Sequence, residues 1–315
     1  MTNEYKEFVE ELRNVMIEEG GIPKEKIRFC TEQPGPSQND KLLVEAAVLG
    51  EKTAVCGIYV GQLFSFLQDG MAFSDIKDKV LQNLKSVDEE LLEELDRRIG
   101  TYESAREYLV IRAVNYPRNR TAVESSVYKV IGDIALVVYA VIREYEDSIS
   151  SVKISRHLLN IWGKTEDEVY EAAMENTRHQ SPPRLFQLPE VLLDPDYEGI
   201  DFMKPGRESM LRGNEIGNCI STTRRINGAV AIFMPGVAAR IAEVLNSDLY
   251  LAFTSIHEVM VHCAETVDPK GLERVLADTI RETTEEEEFL SRKLYHYSRG
   301  TGLFSQITQI VETEQ

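Results

Sequence analysis

The stretch at residues 255–265, SIHEVMVHCAE, is where residue types and spacing come nearest to a catalytic or metal site. It reads H-E-x-x-x-H, one residue longer than the H-E-x-x-H helix of zinc proteases. There, histidines at i and i+4 share one helix face and so meet one ion. His257 and His262 are five apart. On a helix of 3.6 residues per turn that step turns the second ring about 140° away from the first. On a strand, an odd step sends the two rings to opposite faces. Val259, Val261 and the preceding LYLAF favour a strand. The spacing therefore argues against a zinc site and predicts a hairpin, with DLYLAF and EVMVHC as strands and residues 254–257 at the bend. Glu258, Met260 and His262 would share one face, and Val259, Val261 and Cys263 the other. His257 would then be an exposed turn residue beside Ser255 and Glu258. An imidazole titrates near neutrality, so this trio could bind a small polar ligand or move a proton. The same residues also suit plain turn chemistry, in which serine caps the turn and His or Glu bonds local backbone. We favour the turn reading, because the sequence pairs no nucleophile with a base.

Two basic islands stand out in an acidic chain: NYPRNR at residues 115–120 and TTRRING at residues 222–228. Guanidinium groups present forked donors suited to phosphate or carboxylate. Arg118, Arg120, Arg224 and Arg225 would form an anion site if their loops converged. The competing expectation is that each pairs with one of the chain's 53 acidic residues. His157, His179 and His296 carry no recognisable partner pattern, and Trp162 reads as a core anchor.

These residues need elements to position them. Phe8, Leu12, Val15 and Met16 mark one face of a helix over residues 3–19, ended by Gly20-Gly21. KLLVEAAVLGEKTAVCGIYV reads as a hairpin about residues 50–52. A short helix stopped by Gly70 follows, and then a second helix. DIALVVYAVI, a turn at EYEDS, SVKIS, RHLLNIWG and TEDEVYEAAMENT repeat that grammar, the last with a Thr165/Glu168 capping box. The segments around 41–84 and 131–176 are thus a candidate duplicated ββαα unit. A charged helix near residues 87–98 and the strand EYLVIRAVNY lie between them. The prolines of residues 180–207 predict an extended linker. In the last lobe, Asn227-Gly228 between two β-rich runs is a strong hairpin signal. PGVAARIAEVL and PKGLERVLADTIRE read as helices, and LYHYS as an edge or half-exposed strand. The expected fold is α+β, with antiparallel hairpins backed by helices in two lobes: residues 1–185 and 208–300, a linker at 186–207 and a tail at 301–315.

Composition narrows the function classes. The 315 residues carry 35 basic and 53 acidic side chains, a net charge of −18. That disfavours a general nucleic-acid binder, which needs clustered cations, and docking on an anionic membrane. It suits solubility and a basic partner. No apolar run approaches a membrane span, and the start lacks the pattern of a signal peptide. The four cysteines are dispersed and form no CxxC, so a cytoplasmic setting with reduced thiols is expected, without a zinc knuckle. GxGxxG, GxxxxGK[ST] and GxSxG are absent, so no cofactor is implied.

LVIRAVNYPRNR, LNIWGKTEDEVYEAAMENT, INGAVAIFMPGVAARIAEVLNSDLYLAFTSIHEVM and LYHYSR together resemble a domain-of-unknown-function family of bacterial cytosolic proteins, over nearly the whole chain. The likeness is most specific at Asn227-Gly228-Ala229 and at Ser255-Ile256-His257-Glu258. Members commonly carry Leu-Pro-Ser-Ser before the His-Glu pair, where this chain has Ala252-Phe253-Thr254-Ser255. The resemblance implies that the N-G-A hairpin and the S-x-H-E turn form one module. It implies no activity.

The reading is a non-enzymatic, acidic binding or regulatory protein acting on a protein partner, basic in character. A regulator or inhibitor of a nucleic-acid-handling enzyme is one form of it. The alternative is a small-molecule enzyme or anionic-ligand sensor using Arg224, Arg225, Ser255, His257 and Glu258. A metal-dependent hydrolase is the weakest reading.

Overall fold

In the computed structural model, the described residues are 3–30, 40–49, 52–85, 89–144, 149–187, 190, 194 and 197–307. The chain divides into two compact units, residues 1–100 and 101–315.

In the first unit, α1 (Asn3–Glu18) buries Tyr5, Phe8, Val9, Leu12 and Met16, an apolar stripe at helical spacing. Gly21, at φ 66°, turns the chain out of it. Strands β1 (Ile27–Cys30), β2 (Lys41–Leu49) and β3 (Lys52–Tyr59) form an antiparallel sheet in that order. The expected hairpin is present, although its tip at residues 50–51 lies outside the described residues. Helices α2 (Val60–Gln68) and α3 (Phe73–Lys85) add Phe64, Ile76, Val80 and Leu84 to the core of α1. Each such side chain stabilises the fold by roughly 1.5–3 kcal/mol on full burial. Tyr5 Oη donates to the buried Asp40 carboxylate at 2.8 Å, tying α1 to the start of the sheet. Helix α4 (Glu89–Ile99) closes the unit.

The second unit holds two antiparallel sheets. The short helix α5 (Tyr102–Ala105) leads to β4 (Leu109–Asn115), α6 (Tyr116–Glu124), β5 (Tyr128–Ile131), β6 (Ile134–Glu144) and β7 (Ile149–Lys153). Central β6 pairs with β4, β5 and β7. Helices α7 (Arg156–Trp162) and α8 (Glu166–Gln180) follow. Both capping-box bonds form between Thr165 and Glu168. The six-stranded sheet runs β13-β12-β10-β11-β9-β8, built from β8 (Pro183–Phe186), β9 (Asn218–Thr222), β10 (Leu249–Ala252), β11 (Val259–Cys263), β12 (Leu294–Tyr297) and β13 (Phe304–Gln306). Helices α9 (Val237–Leu245) and α10 (Pro269–Thr283) complete an α+β fold.

The grammar read at 41–84 and 131–176 recurs as elements. Each segment has a hairpin with a register shift, at Glu45/Ala47 and Val141/Arg143, then a short helix, a positive-φ glycine and a longer helix. The turn expected at EYEDS lies mostly outside the described residues.

Several expectations are corrected. The division falls after Gly100, not at residues 186–207. The proline-rich segment starts with a sheet-edge strand, where Pro183 needs no N–H for a ladder. Leu185 and Ile200 then exchange two backbone bonds, at 2.9 and 2.8 Å. The NYPRNR loop is the first turns of α6, because Asn115 caps it through Arg118 N–H at 2.9 Å and Pro117 fits its start. Part of the expected tail is β13, so β12 is not an edge. Trp162 is half-buried against Tyr102, with ring centroids 5.9 Å apart, and is no core anchor.

One polar cluster ties the two sheets of this unit together. The turn between β5 and β6 brings Asp133 against Ser291 and Tyr295. Ser291 Oγ donates to its carboxylate at 2.8 Å, Tyr295 Oη donates to the same group, and the Asp133 N–H donates back to Tyr295 Oη at 3.0 Å. Tyr295 is fully buried, and burial followed by the Asp133 bond raises its pKa. Tyr295→Phe keeps the ring but removes these bonds to a charged group, so unfolding free energy should fall by roughly 1.5–3 kcal/mol. Urea denaturation of the full chain measures it, and an unchanged midpoint would show that the cluster contributes nothing.

Candidate functional site

The hairpin inferred from H-E-x-x-x-H is present. Strands β10 and β11 pair from Leu249 with Cys263 to Ala252 with Met260. Val259 and Val261 are fully buried on one face, while Glu258, Met260 and His262 line a groove on the other. The two histidines do separate, and they acquire different surroundings.

His257 is less exposed than expected for a turn residue, its side chain being 28% accessible. Asn227 N–H donates to its Nδ1 at 3.1 Å. An N–H can only donate, so Nδ1 is the bare nitrogen and Nε2 carries the ring proton. Nε2 lies 3.0 Å from Glu288 Oε1. Ser255 Oγ accepts the His257 N–H at 3.0 Å, which is the turn chemistry favoured from sequence. Both ring nitrogens are thereby engaged in holding loops together.

The other half of this module is the TTRRING loop, and here the hairpin expectation fails. Asn227 does adopt a positive φ, 54°, as does Arg225, 56°. Yet the chain passes from Asn227 into a 3-10 helix, Gly228–Phe233, rather than a returning strand. Gly228 is set by proximity, not by turn type. A Cβ there would lie 2.0 Å from Ser221 Oγ and 2.5 Å from the His257 carbonyl. Ser221 Oγ donates to that carbonyl at 2.7 Å, and Ala229 N–H donates to the Ile256 carbonyl at 3.1 Å. The N-G-A and S-x-H-E segments do meet, through backbone rather than a ligand.

The arginines do not assemble as one site. Arg118 pairs with Glu286 at 2.7 Å and lies 3.9 Å over the Phe289 ring. Arg120 pairs with Glu124 at 2.6 Å on its own helix, and this bond raises the Arg120 pKa. The Arg225 guanidinium is 6.0 Å from the Phe186 ring. Arg224 lines a small cleft whose lining includes neither Arg118 nor Arg120.

A larger opening than that cleft is a groove of about 640 Å³ between the β10–β11 face, α10 and the loop at residues 214–216. Helix α10 starts at an Asp268 cap, whose Oδ2 accepts from Gly271 N–H at 2.8 Å. Its Leu276 and Ile280 enter the core against Ala252 and Leu294. Val275 stays 60% exposed, with Ile216 63% exposed across the groove. The polar wall is Glu258, held by Thr254 Oγ1 at 2.9 Å and Cys219 Sγ at 3.4 Å. Burial, then Glu258, push the Cys219 thiol far above its ordinary value, so it remains a donor and no thiolate forms. His262 is 5% exposed in the same wall, and its Nδ1 is buried without a hydrogen-bond partner. Gly217, at φ 74°, packs so closely that a Cβ would lie 2.6 Å from that nitrogen. Of the candidate ligand-binding residues named from the sequence, Glu258 alone lines the groove. His262, read as structural, also does. Glu215 and Val275 carried no signal, since chain folding and helix docking bring them to the groove, and strand pairing brings Cys219 behind Glu258.

Among the described residues no group of three or more His, Cys, Asp or Glu is placed to hold a metal. Nor is any helix among them long and apolar enough to cross a membrane. What the fold and groove define is an α+β protein with a half-open, largely apolar cleft beside a carboxylate. Residues 5–299 match the family described as Family of unknown function (DUF5688), and the chain belongs to that family. No curated protein and no solved structure matches it.

Two outcomes test these roles. His257→Ala leaves the Asn227 N–H without its acceptor and should cost roughly 1–3 kcal/mol in chemical denaturation. Equal stability of the variant would show that the ring fastens nothing. For His262, burial lowers the pKa from 6.5, opposed by a bond to the Glu215 carbonyl. The unfolded chain then takes up a proton before the folded one. Stability should therefore be flat above about pH 6.5 and fall as pH drops from there towards the folded value. His262→Phe should lose less stability than the parent between about pH 7 and about pH 5 in urea titrations. Identical losses would assign the acid sensitivity elsewhere.

Proposed function

We propose that the protein acts by binding, and that its groove receives a basic, apolar segment of a protein partner. One observation carries this reading. The groove lining includes Glu215, Glu258 and Asp268 and no lysine or arginine, around a floor of Met260, Leu272, Val275 and Leu276. An apolar floor supplies affinity, and carboxylates at its rim select a cation and speed encounter. The net charge of −18 acts in the same direction at longer range. A volume of about 640 Å³ suits several side chains of an extended or helical segment. Catalysis at His257 is the weaker reading, because both of its ring nitrogens already fasten loops.

Affinity capture from native cell extract, using the full chain beside Val275→Glu, tests the proposal. The substitution puts a charge on an exposed helix position at the groove and should leave folding intact. A partner should be retained by the parent at low salt, released at about 0.5 M salt, and captured at least about tenfold less by the variant. Retention of nothing at low salt, or equal capture by Val275→Glu, would remove the groove from the function.

A further inference from the structure

A second opening, of opposite chemistry, lies where the end of α8, strand β4 and the connection after β9 come together. Its volume is about 50 Å³, against the roughly 10–15 Å³ that one water requires on the same measure. Arg112, Gln180, Thr222, Arg224 and Asn227 are among its lining residues, and no aspartate or glutamate is. In a chain with 53 acidic and 35 basic residues, a cavity walled by two arginines and no carboxylate is a local inversion of charge.

Three of its polar groups are underused. Arg112 projects from β4 with its guanidinium 5.1 Å from the centroid of the Tyr139 ring. Among the described residues no carboxylate pairs with it, and burial lowers its pKa. Thr222 is 1% exposed, and its hydroxyl is buried without a hydrogen-bond partner. The side-chain amide of Asn227 likewise has no partner among the described residues, its backbone N–H being given to His257. A half-buried cation and a buried hydroxyl left unmatched are each destabilising, and one bound group with several acceptor oxygens would satisfy them together.

We propose that this cleft binds a small oxyanion: phosphate, free or as the terminal group of a phosphate monoester. Its oxygens would accept from the forked guanidinium of Arg112 and from the hydroxyl of Thr222. Asn227 and Arg224 also line the cleft. Charge-assisted bonds from arginine to phosphate are short and strong, and the Arg112 guanidinium lies 5.1 Å from the Tyr139 ring centroid. This site shares no lining residue with the groove described above. It stands or falls independently of the proposed partner.

The test uses the full chain in phosphate-free buffer. Sodium phosphate is titrated against sodium chloride at equal ionic strength, followed by thermal midpoint and phosphorus-31 line broadening. Phosphate should raise the midpoint and broaden its resonance, and chloride should do neither. Arg112→Gln should weaken phosphate binding by about tenfold or more. It should not lower the midpoint in phosphate-free buffer, because an unmatched charge has gone. Thr222→Val, of nearly the same volume, should weaken binding severalfold and provides the check if Arg112→Gln folds poorly. A parallel titration with glycerol 3-phosphate separates the sources: tighter binding than phosphate assigns a monoester, and equal or weaker binding assigns the free anion. Identical effects of phosphate and chloride, or undiminished phosphate binding in both variants, would overturn the proposal.

Discussion

The contact of Gly228 with Ser221 and the His257 carbonyl is the constraint on which both openings depend. The absent Cβ lets the TTRRING segment pass under the S-x-H-E loop, and any side chain there would meet Ser221 Oγ. With that approach made, Asn227 N–H reaches His257, Ala229 N–H reaches Ile256, and His257 in turn reaches Glu288. The loop at residues 254–258 is thereby fixed from two sides, and Glu258 enters the groove wall with its carboxylate already held by Thr254 and Cys219. The same segment carries Arg224 and Asn227 to the small cleft. A backbone contact, not a catalytic group, explains why the two sequence motifs belong together.

How much of this was legible follows from the range of each interaction. Local signals held well: the apolar stripe of α1, the Thr165/Glu168 capping box, and the alternation that put Met260 and His262 on one face. The odd spacing of His257 and His262 correctly separated the rings. Errors came where a local signal has more than one structural use. Asn227-Gly228 has the residues of a tight hairpin, but packing, invisible in a single sequence, starts a 3-10 helix there. The prolines near residue 183 read as a linker, although an edge strand tolerates them equally. The division after Gly100 left no trace, because a lone glycine at a helix end is an ordinary cap. Of the candidate site residues, Glu258 and Arg224 line openings. Their neighbours Cys219, Arg112 and Thr222 became visible once segments 39 positions apart (Cys219 and Glu258) and 110 positions apart (Arg112 and Thr222) were brought together.

Charge shows the same lesson about scale. A net −18 describes the molecule at long range and suits attraction of a basic partner. Within a few ångströms the local lining decides, and the two openings differ in sign. One is rimmed by Glu215, Glu258 and Asp268; the other is walled by Arg112 and Arg224. Low local dielectric strengthens such short-range differences while salt and water screen the global field. An acidic composition therefore argues against a broad phosphate-binding surface and leaves a single small oxyanion cleft fully compatible.

Strand β9 explains how both chemistries fit in one small unit. It pairs with β11 from Asn218 opposite Val261 to Ile220 opposite Val259, so its side chains alternate strictly between the two faces of the sheet. Cys219 falls on the groove side, where its thiol meets Glu258. Thr222 is an odd step further on and so projects to the opposite face, where it lines the cleft. A strand five residues long thus supplies a donor to an acidic groove and an unmatched hydroxyl to a basic pocket. The thickness of the sheet keeps the two charges apart. Neither residue could change faces without shifting the register of β9, and that shift would expose Ile220, which is now fully buried.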